Sequence, residues 1–482
     1  MNKYKNIYFL FCLQSLLFLF GCTSEKGIPS YNDYPDDIGR LVFTKCATPG
    51  CHNEASKGAA AGLSLESWDK LFEGGTGSAA VIPYSSEFST LFAYTNTFSD
   101  LGLTLLPTMP YNNSALSRED VLMIKNWINA GAPSRDGRVK FADDSSRKKF
   151  YVANQGCDVV TVFDQETFLP MRYISVGNDL GIESPHMIKV SPDGAYWYIV
   201  SLQGNSLQKY RTSDDSFVGE AILGVKNWNT FSITSDGQKA FAIDWSANGD
   251  IAEINLTTLS VQHNIGFNYP HGSYLNGDTL YVTQQTGSSK LYKIPINDFS
   301  SFSEIDLFTT PPTHSLDAHE LIFSPDGTKY FVTCQGTNEV RVFDKTNDAL
   351  LSTLAVGALP SEMAVSVDNN YLFVTCPEDT VSFVGKRGAV WVIDINTNAV
   401  IKAIYTGHQP HGIAVDDAKN MVYVANRNAT SDGPAPHHSG TCGGRNGYVS
   451  FIDMSSLTMF KQGANDKKVE VSVDPYSVAL RP

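Results

Sequence analysis

Tyr330-Phe331-Val332-Thr333, a polar turn, and Val340-Arg341-Val342-Phe343-Asp344 form the pattern that decides the fold of this 482-residue chain. Both runs are rich in β-branched and aromatic residues, the composition of strands, and the second ends in aspartate. Downstream the pattern recurs as Tyr371-Leu372-Phe373-Val374-Thr375 with Val390-Trp391-Val392-Ile393-Asp394, and as Val422-Tyr423-Val424-Ala425-Asn426 with Val449-Ser450-Phe451-Ile452-Asp453. Upstream it is Phe150-Tyr151-Val152-Ala153-Asn154 with Val160-Thr161-Val162-Phe163-Asp164, and less regular copies begin near Trp197, Ala240 and Leu280, which makes seven. A period of roughly 40 to 50 residues is that of propeller blades.

Most strand pairs follow an inner strand and a polar turn, such as Ser191-Pro192-Asp193-Gly194, Ser324-Pro325-Asp326-Gly327 and the variant Thr234-Ser235-Asp236-Gly237. Inner strands are expected near 186, 230, 271, 319, 362, 411 and 476. The last has no blade after it, so it is expected to join the first blade, close the ring and remove the open edges. Residues 148–482 thus resemble the seven-bladed YVTN-type propellers, on strands such as Tyr281-Val282-Thr283-Gln284 and Tyr423-Val424-Ala425-Asn426. That resemblance implies a fold and no particular activity, because propellers host many.

One repeated position carries chemistry. Pro185-His186, Pro270-His271, Ala318-His319 and Pro410-His411 fall where inner strands begin, so the four imidazoles are expected to converge on one mouth of the central channel. Pro360-Ser361-Glu362 is read as placing the Glu362 carboxylate in the fifth equivalent place, and the long loop from Arg427 to Asn446 adds His437, His438 and Cys442 on the same face. Such a cluster can ligate a second metal or haem, or carry protons near neutral pH. The plainer alternative is that each ring only hydrogen-bonds backbone at the mouth. Cys334 and Cys376 sit at matching strand positions and read as buried small side chains, while His263 and His314 have no counterpart and read as surface residues.

A different signal precedes the repeats. Cys46-Ala47-Thr48-Pro49-Gly50-Cys51-His52 places two thiols directly before an imidazole, the arrangement by which a c-type haem is attached and ligated. Four residues separate the cysteines instead of the common two, and Pro49-Gly50 suits the turn this requires. Leu106-Pro107-Thr108-Met109-Pro110 offers Met109 as the sixth iron ligand, and a closing helix is expected from the Ser117/Asp120 capping box through Val121, Ile124 and Ile128 to Gly131. Zinc would need four ligands, and no second Cys/His pair lies nearby; a plain Cys46–Cys51 disulfide is the other alternative.

From Ile38 to Pro133 the chain resembles a planctomycete-type cytochrome c domain, on Cys51-His52, Gly62-Leu63-Ser64-Leu65, Thr108-Met109-Pro110 and Trp127-Ile128-Asn129-Ala130-Gly131-Ala132-Pro133. The resemblance implies haem iron ligands at His52 and Met109, in a small all-α cytochrome c domain over 38–136. The fold class expected is therefore multidomain, with that domain followed by an all-β seven-bladed propeller over 148–482.

The first residues address the chain. Lys3 and Lys5 precede an apolar run from Ile7 to Phe20, which meets Leu19-Phe20-Gly21-Cys22. This resembles a bacterial lipoprotein signal over 1–21, leaving Cys22 lipidated and 22–37 as a tether, in a cell envelope protein facing the periplasm or the surface. A net charge of −14 argues against nucleic acid as a partner. Cys157, Cys334, Cys376 and Cys442 remain, enough for two disulfides that sequence does not pair. The leading expectation is an exported, membrane-anchored haem c electron-transfer lipoprotein whose propeller docks a redox partner or holds a second redox centre. Two other readings fit: an oxidoreductase acting on a small molecule at the His-lined mouth, and a surface propeller that binds a ligand. The order cytochrome then propeller is similar to the haem-d1 nitrite reductases in architecture only, since those propellers have eight blades.

Overall fold

A computed structural model describes residues 31–482 except 179, 180, 288, 369, 437–441 and 464. The expected lipoprotein signal with Cys22, and His437 and His438, therefore lie outside the described residues. The described chain is nearly all β: seven antiparallel sheets form the blades, six of four strands and one of five, with a small two-stranded ribbon (Lys461–Gln462 with Asn465–Asp466) beside the last. Blade 2 spans Pro185–Ile222, blade 3 Trp228–Phe267, blade 4 Pro270–Asp306, blade 5 Ala318–Ala355 and blade 6 Met363–Ile404. Blade 7 runs from Pro410 to Met459, and Lys468–Val473 pairs with its strand Asn446–Asp453. Blade 1, Lys149–Ser175, takes its inner strand from the other end of the chain: Pro475–Leu480 pairs antiparallel with Lys149–Asn154, Phe150 opposite Leu480 and Val152 opposite Val478.

The repeat follows from packing. Blades stack face to face, so both sides of the middle strands are covered; every residue of Lys149–Asn154 and of Val159–Asp164 is buried. Near-continuous apolar runs are what two covered faces require. The Ser-Pro-Asp-Gly turns are chemically closed units. In the first, the Ser191 hydroxyl donates to Asp193 Oδ1 (2.5 Å) and accepts from the Tyr196 amide (3.0 Å), while Gly194 adopts φ +69° and donates to the Ser191 carbonyl (2.8 Å). Ser324-Pro325-Asp326-Gly327 and Thr234-Ser235-Asp236-Gly237 repeat these bonds. The aspartates that end the third strand of a blade cap the turn that follows: Asp164 accepts from the Thr167 amide and Asp394 from that of Thr397.

Blades are also latched by charge. Lys149 Nζ, 2% exposed, lies 2.7 Å from Asp215 Oδ2 of blade 2 and 2.8 Å from the Thr212 carbonyl. Lys149→Met leaves the Asp215 charge buried and unpaired, and is expected to cost about 3–5 kcal/mol in chemical denaturation. Adding Asp215→Leu is expected to return much of that loss.

The expected small all-α cytochrome c domain is not present. Between residues 31 and 147 the described helices are α1 (Asp36–Lys45), α2 (Trp68–Leu71), α3 (Thr90–Thr95) and α4 (Arg118–Asn129), with single 3₁₀ turns between, and the remainder is turn and irregular chain. The closing helix α4 does form: the Ser117 hydroxyl accepts from the Asp120 amide (3.1 Å), and Val121, Ile124, Trp127 and Ile128 are buried. The rest of the segment is rich in Gly, Ser, Asn and Pro, which favour turns over helix. Nor is its core separate. Tyr34, Trp68, Phe72 and Phe141 belong to one apolar cluster with Tyr151, Met171 and Trp197 of the propeller. Phe88 stacks on Tyr173 of blade 1, ring centroids 4.0 Å apart, and Glu470 of blade 7 donates its amide to the Gly77 carbonyl.

Candidate functional site

The Cys46–His52 stretch is a tight loop at the end of α1. The Cys46 and Ala47 amides both donate to the Val42 carbonyl, ending the helix, and the His52 amide donates back to the Cys46 carbonyl (3.1 Å). Between the cysteines the Cys51 amide donates to the Thr48 carbonyl (3.0 Å), with Gly50 at φ +85°. Pro49-Gly50 thus occupies the centre of a turn whose third residue needs positive φ. Cys46 and Cys51 are not bridged; Cys46 is half-buried and Cys51 exposed. Burial, then the neighbouring Cys51, pushes the Cys46 thiol up to about 12.

His52 is half-buried, and its Nδ1 lies 3.3 Å from the Leu63 carbonyl, a bond that leaves Nε2 to face outward from that anchor. Burial lowers its pKa, with the Leu63 bond opposing. Met109 is half-buried and held by its amide on the Tyr94 carbonyl (2.8 Å). Leu106 and Tyr111 beside it are 84% and 63% exposed, large apolar side chains without cover.

The second group lies in the channel. His186, His271, His319 and His411 stand at one level of the inner strands of blades 2, 4, 5 and 7, each 3–7% exposed. Asn229, Ser361 and Tyr476 occupy the same level in blades 3, 6 and 1. The rings form an arc in which only His411–Tyr476 is stacked: His271–His319 centroids 4.2 Å (tilted), His319–His411 6.1 Å (edge-on), His411–Tyr476 3.7 Å and Tyr476–His186 4.2 Å (tilted), with Trp245 edge-on to His271. Each level is tied to the next blade. His271 Nδ1 meets the His319 carbonyl (3.0 Å) and His411 Nδ1 the Tyr476 carbonyl (3.1 Å). Thr283, Thr333 and Thr375 hydroxyls donate to the His319, Ser361 and His411 carbonyls. His186 Nδ1 pairs with Gln155 Nε2 at 2.8 Å, and His319 Nδ1 has no partner.

Several sequence expectations change here. Glu362 is not at the histidine level: Ser361 is, and Glu362 aligns with Glu320, since the Glu320 and Glu362 amides donate to the equivalent hydroxyls of Thr333 and Thr375. Cys442 is no ligand, being bonded to Cys157 of blade 1 across 285 positions. His408, which sequence reading passed over, is buried with Nε2 2.8 Å from the Thr430 hydroxyl and anchors the long loop. Tyr476 and Glu320 were also missed, although the residue after the inner-strand Pro or Ala marks the level in every blade but one. Among the described residues no group of three His, Cys, Asp or Glu side chains could hold a metal ion.

Burial pushes His271 down to about 4, and pushes His186, His319 and His411 well down, with neighbouring imidazoles and Arg427 adding to it. The native state therefore binds fewer protons than the unfolded chain below about pH 6.5. Stability is present above pH 6.5 and is expected to fall as pH drops through 4. A His186→Gln/His319→Gln variant is expected to lose less than the parent over that window in urea midpoints measured against pH.

No family model and no curated protein matches the chain. Solved structures do. A functionally unknown protein from Desulfotomaculum acetoxidans aligns over 69% of this chain and 98% of its own, at 14% identity and TM-score 0.50. Kuenenia stuttgartiensis hydrazine synthase aligns over 58% of this chain and 79% of its own, at 17% identity and TM-score 0.46. The chain is a seven-bladed β-propeller. At these identities the likeness extends to the fold alone.

Proposed function

We propose that this propeller protein is an exported electron carrier that holds haem c covalently through Cys46 and Cys51, with His52 as one axial ligand and Met109 as the other. The observation that carries this reading is the His52 ring, pinned by Nδ1 to the Leu63 carbonyl directly after two unbridged thiols. An imidazole so anchored presents its other nitrogen to a metal in a fixed orientation. Haem c, when bound, supplies a one-electron couple, and a thioether ligand raises its potential. Leu106 and Tyr111 fit the same reading, as apolar side chains that a porphyrin edge would cover. The Cys157–Cys442 bond agrees with an oxidising compartment, and the lipoprotein-like signal with export and anchoring through Cys22. In this reading the propeller docks the redox partner. The enzyme alternative has less support, since all four channel imidazoles are buried.

The test is a pyridine haemochrome spectrum of mature protein made with a haem-maturation system. One covalent haem per chain supports the proposal, and protein without covalent haem sinks it.

A further inference from the structure

Where the N-terminal segment lies against blades 1 and 7, the two parts enclose a cleft of about 50 Å³. Its wall on the propeller side is the strand Lys468–Val473, in which Glu470 and Ser472, two positions apart, share one face. Asn446, opposite Val473 on the paired strand, lines the cleft beside them. On the other side stand Glu87 and Phe88 of the 3₁₀ turn Ser86–Phe88, and Phe88 is the ring stacked on Tyr173. The Glu470 amide on the Gly77 carbonyl (3.3 Å) fastens the two sides together. The cleft therefore exists only when the segment is docked on the ring.

Two oxygens at this cleft lack partners. Asn446 Oδ1 and Ser472 Oγ are buried without a hydrogen bond, their residues 8% and 2% exposed. Buried polar atoms are nearly always satisfied, so each one left over asks for a water, an ion or a ligand. Turning the Asn446 amide over gives no escape. Its Nδ2 donates to Glu470 Oε1 (3.0 Å), and the reverse orientation would set oxygen against carboxylate. The cleft thus offers an amide oxygen, a hydroxyl and the carboxylates of Glu470 and Glu87, and among the described residues no Lys, Arg or His lines it. All-oxygen surroundings with net negative charge are what a hard cation takes. The volume suffices for an ion with some of its water, since one water needs about 10–15 Å³ on this measure.

We propose that this cleft binds a calcium ion, with Glu470, Asn446 Oδ1 and Ser472 Oγ of blade 7 and Glu87 of the N-terminal segment as ligands and water completing the shell. Ligands drawn from two separate parts of the chain suit calcium, which accepts irregular geometry, better than magnesium, which demands a near-ideal octahedron. Two carboxylates place the affinity at the weak end of calcium sites, about 10⁻⁴–10⁻³ M. The ion clamps the segment to the ring. The assignment is independent of haem attachment.

The test titrates calcium chloride into the chelator-treated full chain by calorimetry and thermal shift, beside magnesium chloride and sodium chloride at matched ionic strength. The expected result is one saturable calcium site per chain with a rise in Tm, at least tenfold weaker with magnesium and absent with sodium. Ser472→Ala and the isosteric Glu470→Gln are each expected to raise the calcium Kd at least tenfold. Ser472→Ala also removes an unsatisfied hydroxyl, so without calcium its Tm is expected to equal or exceed that of the parent, and it carries the test if Glu470→Gln does not fold. Absence of a saturable response, which leaves water alone in the cleft, an equal response to magnesium, or a response unchanged in Ser472→Ala overturns the proposal.

Discussion

Replacing Cys46 and Cys51 together with alanine is expected to reduce covalent haem, read from the haemochrome spectrum and haem-stained denaturing gels, to background. The two thiols play unequal parts in the fold. Cys51 is exposed, so its loss removes an attachment point and little else, whereas Cys46 is half-buried against the core that includes Tyr34 and Val42. The single Cys51→Ala variant is therefore the cleaner probe: folded by circular dichroism, with haem held through one bond. His52→Ala separates attachment from ligation, because the thiols remain while the ring that Leu63 orients is gone. It is expected to keep some covalent haem with an altered Soret band. Met109→Ala is expected to lower the midpoint potential, since a thioether ligand is what holds it up. A chain whose haem content ignores both cysteines would refute the proposal outright.

Deleting residues 475–482 is expected to abolish cooperative unfolding. Pro475–Leu480 completes blade 1, and Tyr476 joins His411 to His186 in the ring arc, so its removal opens an inner edge and a gap in the channel wall together. Open edges of this kind invite pairing with other chains. Dye binding and aggregation in a sizing column are the readouts. The Cys157→Ser/Cys442→Ser variant provides the comparison. It removes a second clasp between blades 1 and 7 but leaves the strand pairing intact, and should lower stability by about 2–5 kcal/mol while unfolding stays cooperative. If the truncated chain keeps a sharp transition near that of the parent, the closing strand is not what holds the ring.

The propeller was legible because its physics repeats. Two covered faces demand the same apolar runs seven times, and the Ser-Pro-Asp-Gly turns satisfy their own donors in each copy. The segment before it was read wrongly as an all-α domain because its clear signals, the Cys46–His52 loop and α4, are local. Between them Trp68, Val81 and Phe92 are buried with no period that sequence could show, and their cover comes in part from blade 1. The one-residue misplacement of Glu362 has a similar origin. A bulge begins several inner strands, and with serine at the histidine level the carboxylate one step on looked equivalent. The Cys157–Cys442 pairing joins loops that only the closed ring brings together.

The way the N-terminal segment leans on both Tyr173 and Glu470 sets an order of assembly. Blades 2 to 6 need only their sequence neighbours and can form as the chain emerges. Blade 1 waits for Pro475–Leu480, and the described segment before it, residues 31–147, leans on blade 1 and on Glu470 of blade 7, so that segment is among the last to find its place. Contacts of such long sequence separation form slowly and leave early surfaces uncovered in the meantime. A chain stalled before its final strand would therefore present the Cys46–His52 loop and the first blade together, unsupported, to any chaperone it meets.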